Sequence, residues 1–123
     1  MAIHYNLAKV FERANSEPLL VRNQVEHFIT NVPIAVKNLV RNIKNKEYRI
    51  ALDGAKKIKP TLELMGMTIA YDEITLVENW AVKQGKRREI GATIESIKNQ
   101  IEKASKEMNK EFKIFDTLKT IKL

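Results

Sequence analysis

No cysteine occurs in this sequence, so neither a disulfide framework nor a thiolate zinc site is available. The two histidines, His4 and His27, are too few for a histidine-rich metal centre. There is no HExxH, no P-loop, no nucleophile elbow and no carboxylate pair in a catalytic context. No metal, no cofactor and no enzymatic activity are therefore expected. No apolar run approaches the ~18 residues that a membrane span needs. The start, MAIHYNLAKVFERA, has no apolar segment of the secretory kind, so the expected location is the cytoplasm, away from any membrane. Strand signals are also scarce. Alternating runs are short, and none are joined as a hairpin by an Asn-Gly or Asp-Gly pair.

What is present is helical spacing along nearly the whole chain. The 123 residues are expected to form one domain with a real core. A short helix is expected over Asn6 to Ala14. Ser16 is placed to cap a second, with Pro18 in its first turn. That helix shows Val21, Val25 and Phe28 on one side and is expected to end near Thr30. Pro33 then opens another, with Ile34, Val36, Leu39, Val40 and Ile43 as its apolar residues, ending at a tight turn at Asn45. A fourth helix is expected from Lys46 to Met65, where Ala51, Ala55, Ile58, Leu62 and Met65 repeat at spacings of four and three. Gly66 stops it. A fifth runs from Thr68 to Gln84, with Ile69, Leu76, Val77, Trp80 and Ala81 as apolar surface and Gly85 as its stop. The last carries Ile90, Ile94, Ile97, Ile101, Ala104 and Met108 and extends to about Phe115 or beyond. The expected fold is all-α: an antiparallel four-helix bundle with additional short N-terminal helices.

Charge is uneven. The chain carries 22 Lys and Arg against 15 Asp and Glu. Residues 37–59 hold Lys37, Arg41, Lys44, Lys46, Arg49, Lys56, Lys57 and Lys59 against only Glu47 and Asp53. A basic segment of this kind either is a solvated face or meets an acidic partner. It contains one aromatic residue, Tyr48, so base stacking is not favoured and nucleic acid is not the expected partner.

The stretch Gly54-Ala55-Lys56-Lys57-Ile58-Lys59-Pro60 is unusual for a helix interior. At ~100° per residue, Arg49, Leu52, Asp53, Lys59, Pro60 and Glu63 share a side with Lys56. Ala51, Gly54, Ala55, Ile58, Leu62 and Met65 lie opposite. Lys56 should point to solvent and Gly54 inward, where a missing side chain allows a neighbouring helix to come close. Pro60 cannot donate to the carbonyl of Lys56 and crowds it, which predicts a bend. The methionines at 65, 67 and 108 and Trp80 are expected to fill the core, and Tyr48 and Tyr71 to line helix junctions. His27 is expected at the solvated surface and His4 in a frayed terminus.

Ala55-Lys56-Lys57-Ile58-Lys59-Pro60, with Gly66 and Glu78, resembles the signature of the histidine-containing phosphotransfer (HPt) domain. That signature is an Ala-His pair, a lysine three residues after the histidine, a glycine ten after and a glutamate about twenty-two after. The proline after the lysine is similar to a subgroup associated with Bacteroidetes-type bacteria. Tyr5-Asn6-Leu7 and Val25-Glu26-His27-Phe28-Ile29 before Val32-Pro33 are similar to the usual lead-in. The resemblance spans residues 5 to 108, and it implies docking on the receiver domain of a response regulator or hybrid histidine kinase in a two-component phosphorelay.

Position 56 departs from that pattern, because it holds lysine where the family has its phosphoryl-accepting histidine. Imidazole, with an ordinary pKa near ~6.5, is largely neutral at pH 7 and can attack an aspartyl phosphate. An ordinary lysine amine, near ~10.4, is unprotonated about once in two thousand. Phosphotransfer is therefore not expected. The resemblance implies instead a non-phosphorylatable adaptor or inhibitor. Lys56 would pair as a point charge with the receiver's acidic cluster, and Arg49, Leu52, Asp53, Lys57, Lys59, Pro60 and Glu63 would complete the docking face. A single chain is the expected working form. The remaining readings are a structural remnant without receiver binding and a polyanion binder using the 37–59 surface.

Overall fold

The computed structural model describes residues 4–114. They form five helices and, among the described residues, no strand: α1 (Ala8–Arg13), α2 (Pro18–Lys44), α3 (Tyr48–Leu64), α4 (Thr68–Val82) and α5 (Arg87–Phe112). The all-α expectation holds. α2 packs on α3 and α5, and α4 packs on the same two helices. The α2–α5 and α3–α4 pairs therefore make opposite flanks. None of these helices is long and apolar enough to cross a membrane.

The largest departure from expectation is α2, which runs unbroken through Pro33 where a gap after Thr30 was expected. An interior proline costs ~3 kcal/mol or more through its missing donor and its clash with the preceding turn. The apolar stripe explains why the helix survives. Val25, Phe28, Ile29, Val32, Val36, Leu39 and Ile43 keep helical phase straight across Pro33, and all are buried. Each buried aliphatic or aromatic side chain stabilises by ~1.5–3 kcal/mol, so stopping the helix would lose more than the proline costs.

Smaller corrections follow from the same competition between local signal and packing. Ser16 does not cap α2; it lies in the left-handed region (φ 60°), and Glu17 is the N-cap, with no side-chain hydrogen bond. Ile34, Ile69 and Leu76, expected on apolar faces, are 59%, 69% and 52% exposed. The buried side of α4 is Ala70, Ile74, Val77, Trp80 and Ala81. The expected seams of α3 and α5 are buried throughout, as are Met65, Met67, Met108 and Trp80. α5 ends at Phe112, with Lys113 left-handed; the expected extension to Phe115 and beyond lies outside the described residues. His4 is not frayed, because its ring pairs with Glu107 on α5. His27 is exposed and hydrogen-bonded to Asn31.

Three glycines separate by cause. Gly66 has φ 64°, and a Cβ there would sit 2.6 Å from the Asn6 carbonyl oxygen. The Asn6 N–H meanwhile donates to the Met65 carbonyl at 2.8 Å. The α3–α4 turn and the N-terminal segment are thus locked backbone to backbone. Gly85 is not the left-handed stop of α4, a role held by Gln84 (φ 52°). It is required for space, since a Cβ would lie 2.4 Å from Trp80 Cδ1. Trp80 Nε1 donates to the Lys86 carbonyl and the Tyr48 hydroxyl to the Gly85 carbonyl, both at 2.8 Å. Gly54 has no such constraint, because a Cβ would meet Leu39 Cδ1 at 3.8 Å, an ordinary contact.

Two substitutions test this separation by urea unfolding. Gly54→Ala should stabilise the protein by ~0.4–1 kcal/mol, through helix propensity and a less disordered unfolded chain. Gly66→Ala should destabilise it by at least ~1–3 kcal/mol, the cost of a strained left-handed residue. Equal effects of the two would contradict the assignment.

Candidate functional site

The rotation of α3 about its axis decides what the protein presents. Ala51, Ala55, Ile58 and Leu62 are buried, and Gly54 faces Leu39 of α2. The opposite side is thereby forced outward. Arg49, Asp53, Lys56, Lys57, Pro60 and Glu63 are exposed, and Leu52 is half-buried at the border. α3 continues through Pro60 to Leu64, so the exposed face is one continuous surface. The proline leaves the Lys56 carbonyl without its in-helix donor. The eight positions expected to form a docking face are therefore on one side of one helix, with Lys56 near their middle.

Lys59 differs from the rest. Its side chain is 25% exposed and its Nζ lies 2.8 Å from Glu78 Oε1, whose side chain is 15% exposed. The ammonium also sits 5.0 Å from the centre of the Tyr71 ring, within range of a cation–π attraction. Lys59 is consequently held on α4, with its charge met by Glu78 rather than free on the expected docking face. The hydrogen bond to Glu78 holds its ammonium pKa above the ordinary lysine value. Glu63 is also engaged, at 3.6 Å from Lys9 of α1, with both side chains more than half exposed. An exposed pair of this kind is worth little in stability. It sets the edge of the face rather than its strength.

Lys59 and Glu78 are both positions picked out by the spacing of the resemblance, and they meet across the α3–α4 contact. The third such position, Gly66, is the left-handed turn between them. Tyr71 is the member that sequence reasoning missed. It was expected only at a helix junction, and spacing alone did not connect it to Lys59.

The basic segment 37–59 is not one surface. Lys37 lines a groove between α2 and α5, alongside Lys98 and Glu102. Arg41 and Lys44 follow it at i+4 and i+7, on the same side of α2. Lys59 instead reaches α4. Leu39, on the other side of α2, is buried and packs toward Gly54 of α3. The segment's charge is thus carried on two neighbouring helices, with Lys46 in the turn between α2 and α3 and Lys59 drawn onto α4.

No family model, curated protein or solved structure matches this chain.

The Lys59–Glu78 pair yields a pH test. Because the folded lysine pKa is raised, the pair's stabilisation is complete below the ordinary unfolded value, about 10.4. It is lost as pH rises through the higher folded value. The stability difference between the native protein and Glu78→Gln should therefore be constant from pH 7 to about 10 and shrink above that. A difference that stays level to pH 12 would show that the pair contributes nothing through Lys59 ionisation.

Proposed function

We propose that this chain is a pseudo-phosphotransfer module: an antiparallel four-helix bundle of HPt type that docks on receiver domains through the exposed face of α3 and accepts no phosphoryl group. The observation that carries the reading is the Lys59–Glu78 pair beside an exposed Lys56. Two signature positions nineteen residues apart in sequence are joined across α3 and α4. The joint spacing of residues and this pairing support the reading; no matched relative does.

Position 56 sets the chemistry. A protonated amine has no lone pair with which to attack an aspartyl phosphate, so the transfer step has no nucleophile. The same amine is a compact, strongly hydrated point charge on a flexible stem. Set on an exposed helix face, it can reach into an acidic pocket, where its charge does what a phosphoryl-accepting imidazole would not. Arg49 and Lys57, both exposed, add long-range attraction. Leu52 and Pro60 supply apolar contact beside the charge. Asp53 disfavours partners with a carboxylate at that point and so contributes to specificity. The module would occupy a receiver without discharging it, as an inhibitor or as an adaptor that holds it in place.

The test begins with the protein as bait for receiver domains from its own source, followed by titration of a recovered receiver. Binding should weaken with salt, as expected for a charged contact, and Lys56→Glu should weaken it at least tenfold without loss of helicity. Incubation with the phosphorylated receiver should leave the chain unlabelled. Unchanged affinity of Lys56→Glu would overturn the charge-pairing reading, and acid-labile label on the chain would overturn the loss of transfer.

A further inference from the structure

The flank opposite the α3 face has a second organised surface. Between α2 and α5 runs a groove of about 380 Å³ lined by Pro33, Val36, Val40 and Ile101, with Lys37, Lys98 and Glu102 on its rim. Val36 and Ile101 are buried; Pro33 and Val40 are half-buried and form the accessible floor. Lys37, Arg41 and Lys44 form a row along α2, all exposed, and Ile34 stands beside them, 59% exposed. None of Lys37, Arg41, Lys44 and Lys98 forms an ion pair among the described residues. An apolar floor bordered by unneutralised cations is amphipathic in cross-section.

We propose that this groove is a second docking surface, for an acidic amphipathic helix of another protein. Charge complementarity selects the occupant. The row Lys37–Arg41–Lys44 has the helical spacing of four and three, spanning ~10 Å at 1.5 Å per residue. Carboxylates repeated at that spacing along one edge of a docked helix meet all three cations at once. The apolar side of the same helix enters the channel over Val40 and Pro33, the helix-in-groove mode of recognition. Glu102 on the rim is unfavourable for a phosphate backbone, which would place negative charge along the whole groove. On a docked helix, it is met by one basic or neutral residue. A flat anionic membrane would engage Ile34 and the lysines but leave the channel floor unfilled. The inference is independent of receiver docking, because it uses neither α3 nor Lys56. With both surfaces occupied, the protein would bridge two partners on opposite flanks.

The test is a titration followed by NMR amide shifts, using the intact protein. The probe is a stapled helix of about 15 residues with leucines along one face and glutamates spaced four and three along one edge. Shifts should cluster on residues 33–44 and 98–102 and leave 52–60 unmoved. Glutamine in place of the glutamates, or the double substitution Lys37→Glu with Arg41→Glu, should weaken binding at least tenfold. Val40→Glu should do the same by blocking the floor. Equal binding of the glutamine peptide, shifts centred elsewhere, or no shift at millimolar peptide would overturn the proposal. So would tighter binding of duplex RNA or of phosphatidylserine vesicles to the same residues.

Discussion

The burial of one stripe on α3 sets the orientation on which the rest of the molecule depends. Ala51 and Ala55 are fully buried, together with Ile58 and Leu62. Two alanines a turn apart allow close approach by the neighbouring helices, and the larger residues then fill the space above them. Together these contacts fix the rotation of α3. Once it is fixed, Lys56 must point to solvent, Lys59 must fall on the α4 side, and Gly54 must face α2. The function proposed for this chain is a consequence of that rotation: a cation is presented at the centre of a helix face because the opposite face cannot leave the core.

Legibility in the sequence followed the strength of the periodic signal. The seams of α3 and α5 could be read residue by residue, because four-three spacing of Ala, Ile and Leu has one helical interpretation and nothing local competes with it. At Pro33 in α2, a strong local breaker competes with an apolar stripe that continues in phase on both sides, and the stripe prevails. Packing energy summed over many residues exceeded a single backbone penalty. Ile69 and Leu76 show the opposite case: they are apolar in type but lie outside the arc that Ala70, Ile74 and Val77 define. Gly85 illustrates a further limit. Its role is to leave room for Trp80, and no pattern of neighbours in sequence reveals a steric need of that kind.

The site was legible in outline and not in its electrostatics. Spacing puts Arg49, Asp53, Lys56, Lys57, Pro60 and Glu63 on the exposed side of α3, and all six are exposed. It treated their charges as equivalent, which they are not. Lys59 is neutralised by Glu78 and held over Tyr71, while Lys56 stands exposed one turn earlier. Likewise, a run of cations contiguous in sequence is split between α2, the turn after it and α3. Charge counted along a chain reports surface charge only where the elements carrying it face the same way. Here the cations lie on two helices, and Lys59 is drawn onto α4 by Glu78.

The proposed receiver contact is the Lys56 face of α3. Backbone amide shifts of the labelled protein during titration with a receiver domain test it most directly. Perturbed amides should concentrate in residues 49–63 and the adjoining part of α4, with the α2–α5 flank unchanged. Perturbations centred on another surface, or none at receiver concentrations in the millimolar range, would contradict it.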